Sequence, residues 1–227
     1  CITRKFTYIT TRKKEIDFSF RRFVSLNEKS LLAQQIKIRV NQPVKLELTA
    51  GINGQVTNSG TQHFVAGRRR CQPGKLVQAS YTTSQSRVEY AIAGAYTWKG
   101  SYAQTSIAMK RRFIGTTFIS QINAGETAMF ENSTSICTSR DLRYLNKYFS
   151  GWEDSKNISL QSEEKGFETL LRENEEQWAD FWEHHDVIVD SENQADTTAI
   201  RFALYHLKIM SPLHDNRKNI GAKGLSS

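Results

Sequence analysis

Ile36-Lys37-Ile38-Arg39-Val40-Asn41-Gln42-Pro43-Val44-Lys45-Leu46-Glu47-Leu48 reads as two strands and the turn that joins them. Successive residues of a strand point to opposite faces. The alternation therefore sets Ile36, Ile38, Val40, Val44, Leu46 and Leu48 on a core and leaves Lys37, Arg39, Lys45 and Glu47 in water. Asn41-Gln42-Pro43 interrupts the pattern where the chain must reverse, and proline has no N–H for a ladder.

The same period recurs on either side of this stretch. Ile16, Phe18 and Phe20 alternate with polar residues, as do Val88, Tyr90 and Ile92, then Ile107 and Met109. Turn residues separate the runs: Gly51 to Gly54, Asn58-Ser59-Gly60, Pro73-Gly74, Gly100 and Gly125. Many strands joined by short turns, continuing to about residue 138, predict a large antiparallel β-sandwich. No short internal repeat or low-complexity segment interrupts it.

After Arg140 the period changes. Ser162 is placed to cap a helix that opens with Glu163 and Glu164, acids suited to the positive end of the helix dipole. Phe167, Leu170, Leu171, Trp178, Phe181, Trp182 and His185 fall on one side at helical spacing. Glu168, Arg172, Glu175, Glu176 and Glu183 fall on the other. That is an amphipathic helix lying on something large. Asp186-Val187-Ile188-Val189 reads as a short extended run. Ser191 with Gln194 resembles a capping box, and the helix after it runs to about Met210, near Ser211-Pro212. Its apolar residues, among them Ala199, Ile200, Phe202, Leu204, Leu207 and Ile209, lie nearly all round. Such a helix expects burial among other helices, and the chain offers no further ones. A helical domain cut short is the reading. The start at Cys1 in mid-pattern and the end at Gly224-Leu225-Ser226-Ser227 also read as cuts.

The 227 residues are 38% hydrophobic and 24% charged, which fits an ordinary soluble globular protein. No run is apolar and long enough to cross a bilayer, so no membrane partner is expected. The net charge of +8 divides unevenly, +15 over residues 1–150 and −7 over residues 151–227. The basic clusters Arg12-Lys13-Lys14, Arg68-Arg69-Arg70 and Lys110-Arg111-Arg112 lie about where turns or strand ends are expected. Solvated turns account for them, and no nucleic-acid partner is assigned. Cys1, Cys71 and Cys137 are odd in number, far apart and without ligand spacing. They read as structural thiols in a reducing compartment, which points to the cytoplasm.

No catalytic constellation stands alone. His184-His185-Asp186 is a poor chelate, because adjacent helical residues point about 100° apart; histidines matching a helix C-terminal dipole are the simpler reading, and no metal site is assigned. Glu175, Glu176 and Asp180 lie on a solvated helix face rather than in a cleft. Gly51-Ile52-Asn53-Gly54 lacks the Lys-Ser/Thr pair of a phosphate loop. Trp178 and Trp182, at i and i+4 on the apolar stripe, read as core rather than as a sugar platform. One polar cluster invites a role. Asn58, Gln62 and His63 crowd a loop between strands, where rigid sandwiches often carry function. They are candidates for substrate binding or for a subunit interface, against the simpler reading of a solvated hairpin.

Several segments carry a resemblance. Gly51-Ile52-Asn53-Gly54-Gln55-Val56-Thr57-Asn58-Ser59-Gly60-Thr61-Gln62-His63-Phe64 resembles the N-terminal domain of glycoside hydrolase family 65, the maltose, kojibiose, nigerose and trehalose phosphorylases. Arg22-Phe23-Val24-Ser25 matches an RFVS-type motif of the same domain. Gln177-Trp178-Ala179-Asp180-Phe181-Trp182 is similar to the family's linker helix, and Arg201-Phe202-Ala203-Leu204-Tyr205-His206-Leu207 to its first barrel helix. Ile220-Gly221-Ala222-Lys223-Gly224-Leu225-Ser226 is similar to the segment leading into the active-site loop, although Ser227 stands where many relatives have Gly. Order and spacing fit along nearly the whole chain.

The resemblance implies a sandwich over residues 1–140, a helical linker over 141–190, and the start of an (α/α)6 barrel over 191–227. It also implies a reaction for the parent protein. Phosphate attacks the anomeric carbon of an α-glucoside with inversion, giving β-glucose 1-phosphate, and a single Glu protonates the leaving oxygen. Phosphate takes the place of the base-activated water of an inverting hydrolase. The disaccharide and inorganic phosphate are the expected ligands, with no other cofactor, in a homodimer. The acid, the sugar-binding Trp/Asp motif and the phosphate loop would lie beyond Ser227, so no catalytic residue is assigned, and this polypeptide alone is expected to be inactive. Two rivals are a hydrolase on the same scaffold, which a phosphate loop would decide against, and a non-enzymatic carbohydrate-binding β-sandwich. The apolar second helix argues against the latter.

Overall fold

The computed structural model describes residues 1–190 and 193–221. The chain divides into two compact units, Cys1–Glu175 and the residues from Glu176 onward. In the first, ten antiparallel strands form two sheets among the described residues. The larger has the order β1 (Ile2–Ile9), β2 (Glu15–Val24), β3 (Leu31–Val40), β10 (Thr127–Thr138), β7 (Glu89–Lys99), β6 (Leu76–Thr83), β5 (Phe64–Gln72). The smaller has the order β4 (Val44–Asn53), β9 (Phe113–Ile122), β8 (Ala103–Lys110). The turn at Asn41-Gln42-Pro43 carries the chain from β3 in one sheet to β4 in the other.

The core fills the space between the sheets. Ile36, Ile38 and Val40 of β3, Val44 and Ile52 of β4, and Ile114, Phe118 and Ile122 of β9 share it with Tyr96 and Phe130. Leu46 and Leu48 pack against it half-buried. At its centre Phe118 meets Phe130 edge-on at 5.4 Å, and Tyr96 stacks on Phe130 at 5.6 Å. The period-two reading of the opening stretch thus holds residue by residue.

Other expectations are corrected. Ile107 and Met109 do face inward, since they pair with buried Thr116 and Ile114. However, β8 is a sheet edge, and they remain 53% and 57% exposed. Gly51 is no turn; it lies inside β4, opposite Gly115 of β9. Arg68, Arg69 and Arg70 lie within β5 rather than at a turn or strand end. β5 is also an edge, where charge discourages pairing with another chain, and its register shifts between Ala66 and Arg69.

Ser162 does not open a helix. A first helix, α1 (Gly151–Lys165), already contains it, and the break comes at Gly166, whose φ of 77° suits glycine. α1 lies on the outer face of the large sheet through small polar residues. Buried Ser159 accepts the Ser135 N–H at 3.1 Å and donates to the Ala93 carbonyl at 2.8 Å. Gln78 of β6 donates to the Trp152 carbonyl at 3.0 Å.

The second helix, α2 (Phe167–His185), starts as its apolar stripe predicts. Phe167, Leu170 and Leu171 pack with Phe23, Leu31 and Ala33, and Phe23 meets Phe167 edge-on at 5.5 Å. Buried Asn174 accepts the Leu26 N–H at 2.9 Å. Beside this patch Arg21 binds Glu168, Gln35 donates to both Glu168 and buried Glu131, and Lys99 pairs with Glu131.

The Arg21 hydrogen bond and charge hold the Glu168 carboxyl below the ordinary glutamate range, with Gln35 and Lys37 adding to the effect. A depressed folded value means a contribution to stability that is present above the unfolded value, roughly pH 4, and lost as pH falls through the folded one. Glu168→Gln is therefore expected to lower the unfolding midpoint at pH 7 on the scale of an exposed ion pair, about 0.2–1 kcal/mol. The difference from wild type should shrink as pH falls below the unfolded value and vanish once Glu168 is protonated in the folded state as well. Urea melts of both proteins across this range check it; a difference independent of pH would rule the ion pair out as its source.

In the second unit, Trp178 stacks on Tyr205 at 5.2 Å and on Trp182 at 6.3 Å, and Phe181 is buried. Residues 186–190, which include the expected extended run, join neither a helix nor a paired strand. The third helix, α3 (Gln194–Met210), begins at Asn193, whose side chain accepts the Ala195 N–H at 3.1 Å. The expected cap at Ser191 lies outside the described residues. No residue of α3 is buried, and Phe202 is 64% exposed. After α3, Arg217 grips Asp215 at 2.8 and 2.7 Å and holds its carboxyl well below the usual range. No helix among the described residues is long and apolar enough to cross a membrane.

Candidate functional site

The loop between β4 and β5 stands on a fixed base. Gly54 is buried flat against Tyr81; a Cβ there would come within 2.2 Å of the ring. The Gly54 N–H donates to the Arg112 carbonyl at 2.8 Å, and the Tyr81 hydroxyl donates to the same carbonyl at 3.0 Å. At the return end, the Ser84 N–H donates to the His63 carbonyl at 2.8 Å. Phe64 packs against Tyr81 and Tyr90, each at 5.4 Å.

The structure separates the three candidate residues into different roles. Gln62 is a staple: its amide donates to the Gly54 carbonyl at 3.0 Å, and its oxygen accepts the Phe64 N–H at 2.8 Å. Its side chain is committed to the loop itself. Asn58 flanks the tip, where Asn58 and Thr61 exchange backbone hydrogen bonds around Ser59 and Gly60, both at positive φ. This is the geometry of a two-residue hairpin. The Asn58 side chain is exposed and that of His63 half-buried, and neither makes a hydrogen bond among the described residues. The side-chain polar groups of this loop that make no hydrogen bond among the described residues are thus those of Asn58 and His63.

Other sequence candidates fall into structural roles. His184 and His185 set their Nδ1 atoms against the Asp180 and Phe181 carbonyls at 2.8 and 3.0 Å, at the end of α2. Sequence reading also missed that two basic clusters meet, since Arg69 donates to the Lys110 carbonyl at 3.1 Å; the two lie on strands of different sheets, so only the packing of one sheet on the other shows it.

A family model described as the N-terminal domain of glycosyl hydrolase family 65 matches residues 1–181. The chain belongs to this family. Within the family 65 domain, the resembling segments now have physical roles. Phe23 seats the start of α2, and Ser25 turns the chain by accepting the N–H groups of Asn27 and Glu28 at 3.1 and 3.0 Å. Arg201 in α3 pairs with Asp186. Of the segment from Ile220 to Ser226, residues 222–226 lie outside those described.

The chain is 32% identical to the kojibiose phosphorylase of Halothermothrix orenii over 91% of its own length and 27% of that protein's. It is 30% identical to the kojibiose phosphorylase of Escherichia coli over 99% of its length and 30% of that protein's. The α,α-trehalose phosphorylase of Thermoanaerobacter brockii is 26% identical over the same shares. A solved chain from the human microbiome, provisionally named a kojibiose phosphorylase, has the same fold: TM-score 0.76 at 14% identity, covering 89% of this chain and 26% of that one. The chain thus spans under a third of the length of the relatives it matches.

Proposed function

We propose that this chain supplies the N-terminal part of an inverting disaccharide phosphorylase. The parent protein takes an α-glucoside and inorganic phosphate and releases β-glucose 1-phosphate and a free sugar. The observation that carries this reading is the family match over residues 1–181 together with relatives, named as phosphorylases, that align from the sandwich into α3. In this reading the sandwich occupies residues 1–140, the linker 141–190, and the helical catalytic domain begins at 191. The working enzyme is a cytoplasmic homodimer that needs no cofactor beyond phosphate as co-substrate. The Asn58–His63 loop then approaches either the sugar site or the neighbouring subunit, with His63 and Asn58 as its contact groups.

The test is made on the full-length parent protein with kojibiose, maltose, nigerose or trehalose. Phosphate-dependent release of β-glucose 1-phosphate is expected, whereas glucose released equally well without phosphate would make it a hydrolase. The 227-residue chain alone should release neither. In the parent, His63→Ala should raise KM by roughly 10-fold, the scale of one lost charge-free hydrogen bond left unpaired, or should dissociate the dimer. Unchanged KM, kcat and oligomeric state would remove the loop from the mechanism.

A further inference from the structure

A concave surface of about 350 Å³ lies where the sandwich passes into α1, lined among others by Arg143, Lys147, Tyr148, Asp154, Asn157 and Ile158. Its volume falls at the low end of small-ligand sites, about 300–1,000 Å³. Tyr148 is 90% exposed at this surface. An aromatic ring so placed has an open face for the C–H groups of a ligand and a polar tip in water. Asp154 and Asn157, at i and i+3 in α1, share one side of the helix.

Asp154 is fixed in place. The Tyr144 hydroxyl donates to its Oδ2 at 2.9 Å and the Ser150 hydroxyl at 2.5 Å. Ser150 is the residue preceding α1 and makes no side-chain cap there, so its hydroxyl serves the carboxylate instead. Both bonds fall on Oδ2, and no bond among the described residues falls on Oδ1. The Asn157 amide likewise makes none. Arg143 is already committed to Glu28 and Ser30, at 3.1 and 2.8 Å.

These groups narrow the ligand chemistry. An oriented carboxylate accepts hydrogen bonds, a lysine ammonium donates them, and a primary amide does both. An anion would meet Asp154, with Lys147 as the one cation not drawn into an ion pair among these lining groups. An apolar ligand would leave the carboxylate and amide unpaired. A hexopyranose satisfies the set: vicinal hydroxyls both donate and accept, and one face of the ring is a patch of C–H groups that can lie on tyrosine. We propose that Tyr148, Asp154, Asn157 and Lys147 form a binding site for a neutral pyranose sugar. The site stands on its own residues and does not depend on the parent protein catalysing phosphorolysis.

The experiment is saturation-transfer NMR and titration of the 227-residue chain with methyl α-D-glucopyranoside, with inorganic phosphate as the competing probe. An open site of this size is expected to bind at about millimolar Kd. Tyr148→Ala should weaken binding at least fivefold and Tyr148→Trp should restore it. Neither change can disturb the core, because the side chain is in solvent. Asn157→Ala, also on the surface, should weaken binding by a similar factor, and it keeps the test open if Asp154→Asn upsets Tyr144. Sugar binding that is absent, or unchanged in Tyr148→Ala, overturns the proposal. So does phosphate displacing the sugar with a dependence on Lys147, which would make this an anion site.

Discussion

Gly51→Ala is expected to destabilise the first unit by about 3 kcal/mol or more, lowering the melting temperature by roughly 6–12 °C. Gly51 and Gly115 face each other across β4 and β9. A Cβ on Gly51 would lie 2.5 Å from the Ile114 carbonyl oxygen and 2.6 Å from the Gly115 Cα. These are backbone atoms held in a ladder, so the strands must part or shift. The matching substitution across the ladder, Gly115→Ala, would bring its Cβ to 2.5 Å from the Ala50 carbonyl oxygen. The Phe113 ring lies over both glycines, with its Cζ within 3 Å of either added carbon. The comparison that isolates the cause is Gly60→Ala. Gly60 has a φ of 78° but open space around it, so it should cost only the left-handed strain of about 1–2 kcal/mol. Thermal melts of the two variants check the order. A Gly51→Ala protein melting within about 2 °C of wild type, or above Gly60→Ala, would mean that the close approach is readily relieved.

Removing residues 191–227 is expected to improve solubility and to reduce binding of a hydrophobic dye. α3 buries none of its residues, and Phe202, Tyr205, Leu207 and Ile209 all count among the exposed large side chains. Covering a large apolar side chain contributes about 1.5–3 kcal/mol. Three or four left in water forfeit roughly 5–10 kcal/mol, comparable to the stability of a whole domain. The net charge of +8 does not prevent association through such a face, because salt screens repulsion beyond about 8–10 Å. The full 227-residue chain should therefore self-associate or bind dye, and the shortened one should not. A dye-silent monomer of the full chain at tens of micromolar, roughly where exposed patches associate, would show that α3 finds cover within the chain itself.

The sequence was most readable where one physical rule acted alone. Ile36 to Val40 lie inside the large sheet, and Val44 to Leu48, though on an edge of the small one, keep one face on the core, so alternation named strands, turn and inward residues together. The stripe from Phe167 to Leu171 was equally plain, because each apolar residue at helical spacing found a partner. α1 was missed for the opposite reason. It buries Ser155, Ser159 and Ser162 rather than leucines, so hydrophobic periodicity had nothing to register, and Ser162 passed for a cap. Gly51 looked like a turn because glycine's usual work is in turns; that it sits opposite Gly115 depends on strand pairing across more than sixty positions of sequence. β1 and β8 are edges, where exposure and alternation no longer agree. The loop's polar crowding was visible, but not that Gln62 is committed to its own backbone. Tyr148, Asp154 and Asn157 raised no signal, since nothing in their spacing differs from an ordinary linker.

The contact at Ser159 bears on how the chain is built during synthesis. β7 and β10 are neighbours in the middle of the large sheet, and Ser135 is paired with Ala93 there. The hydroxyl that takes the Ser135 N–H and serves the Ala93 carbonyl arrives twenty-four residues after Ser135. A nascent polypeptide emerging from its N-terminus can therefore lay down every strand and still lack a group that the centre of its sheet requires. A helix with the look of a mere connector supplies that group, and the sandwich is finished only once the ribosome has released it.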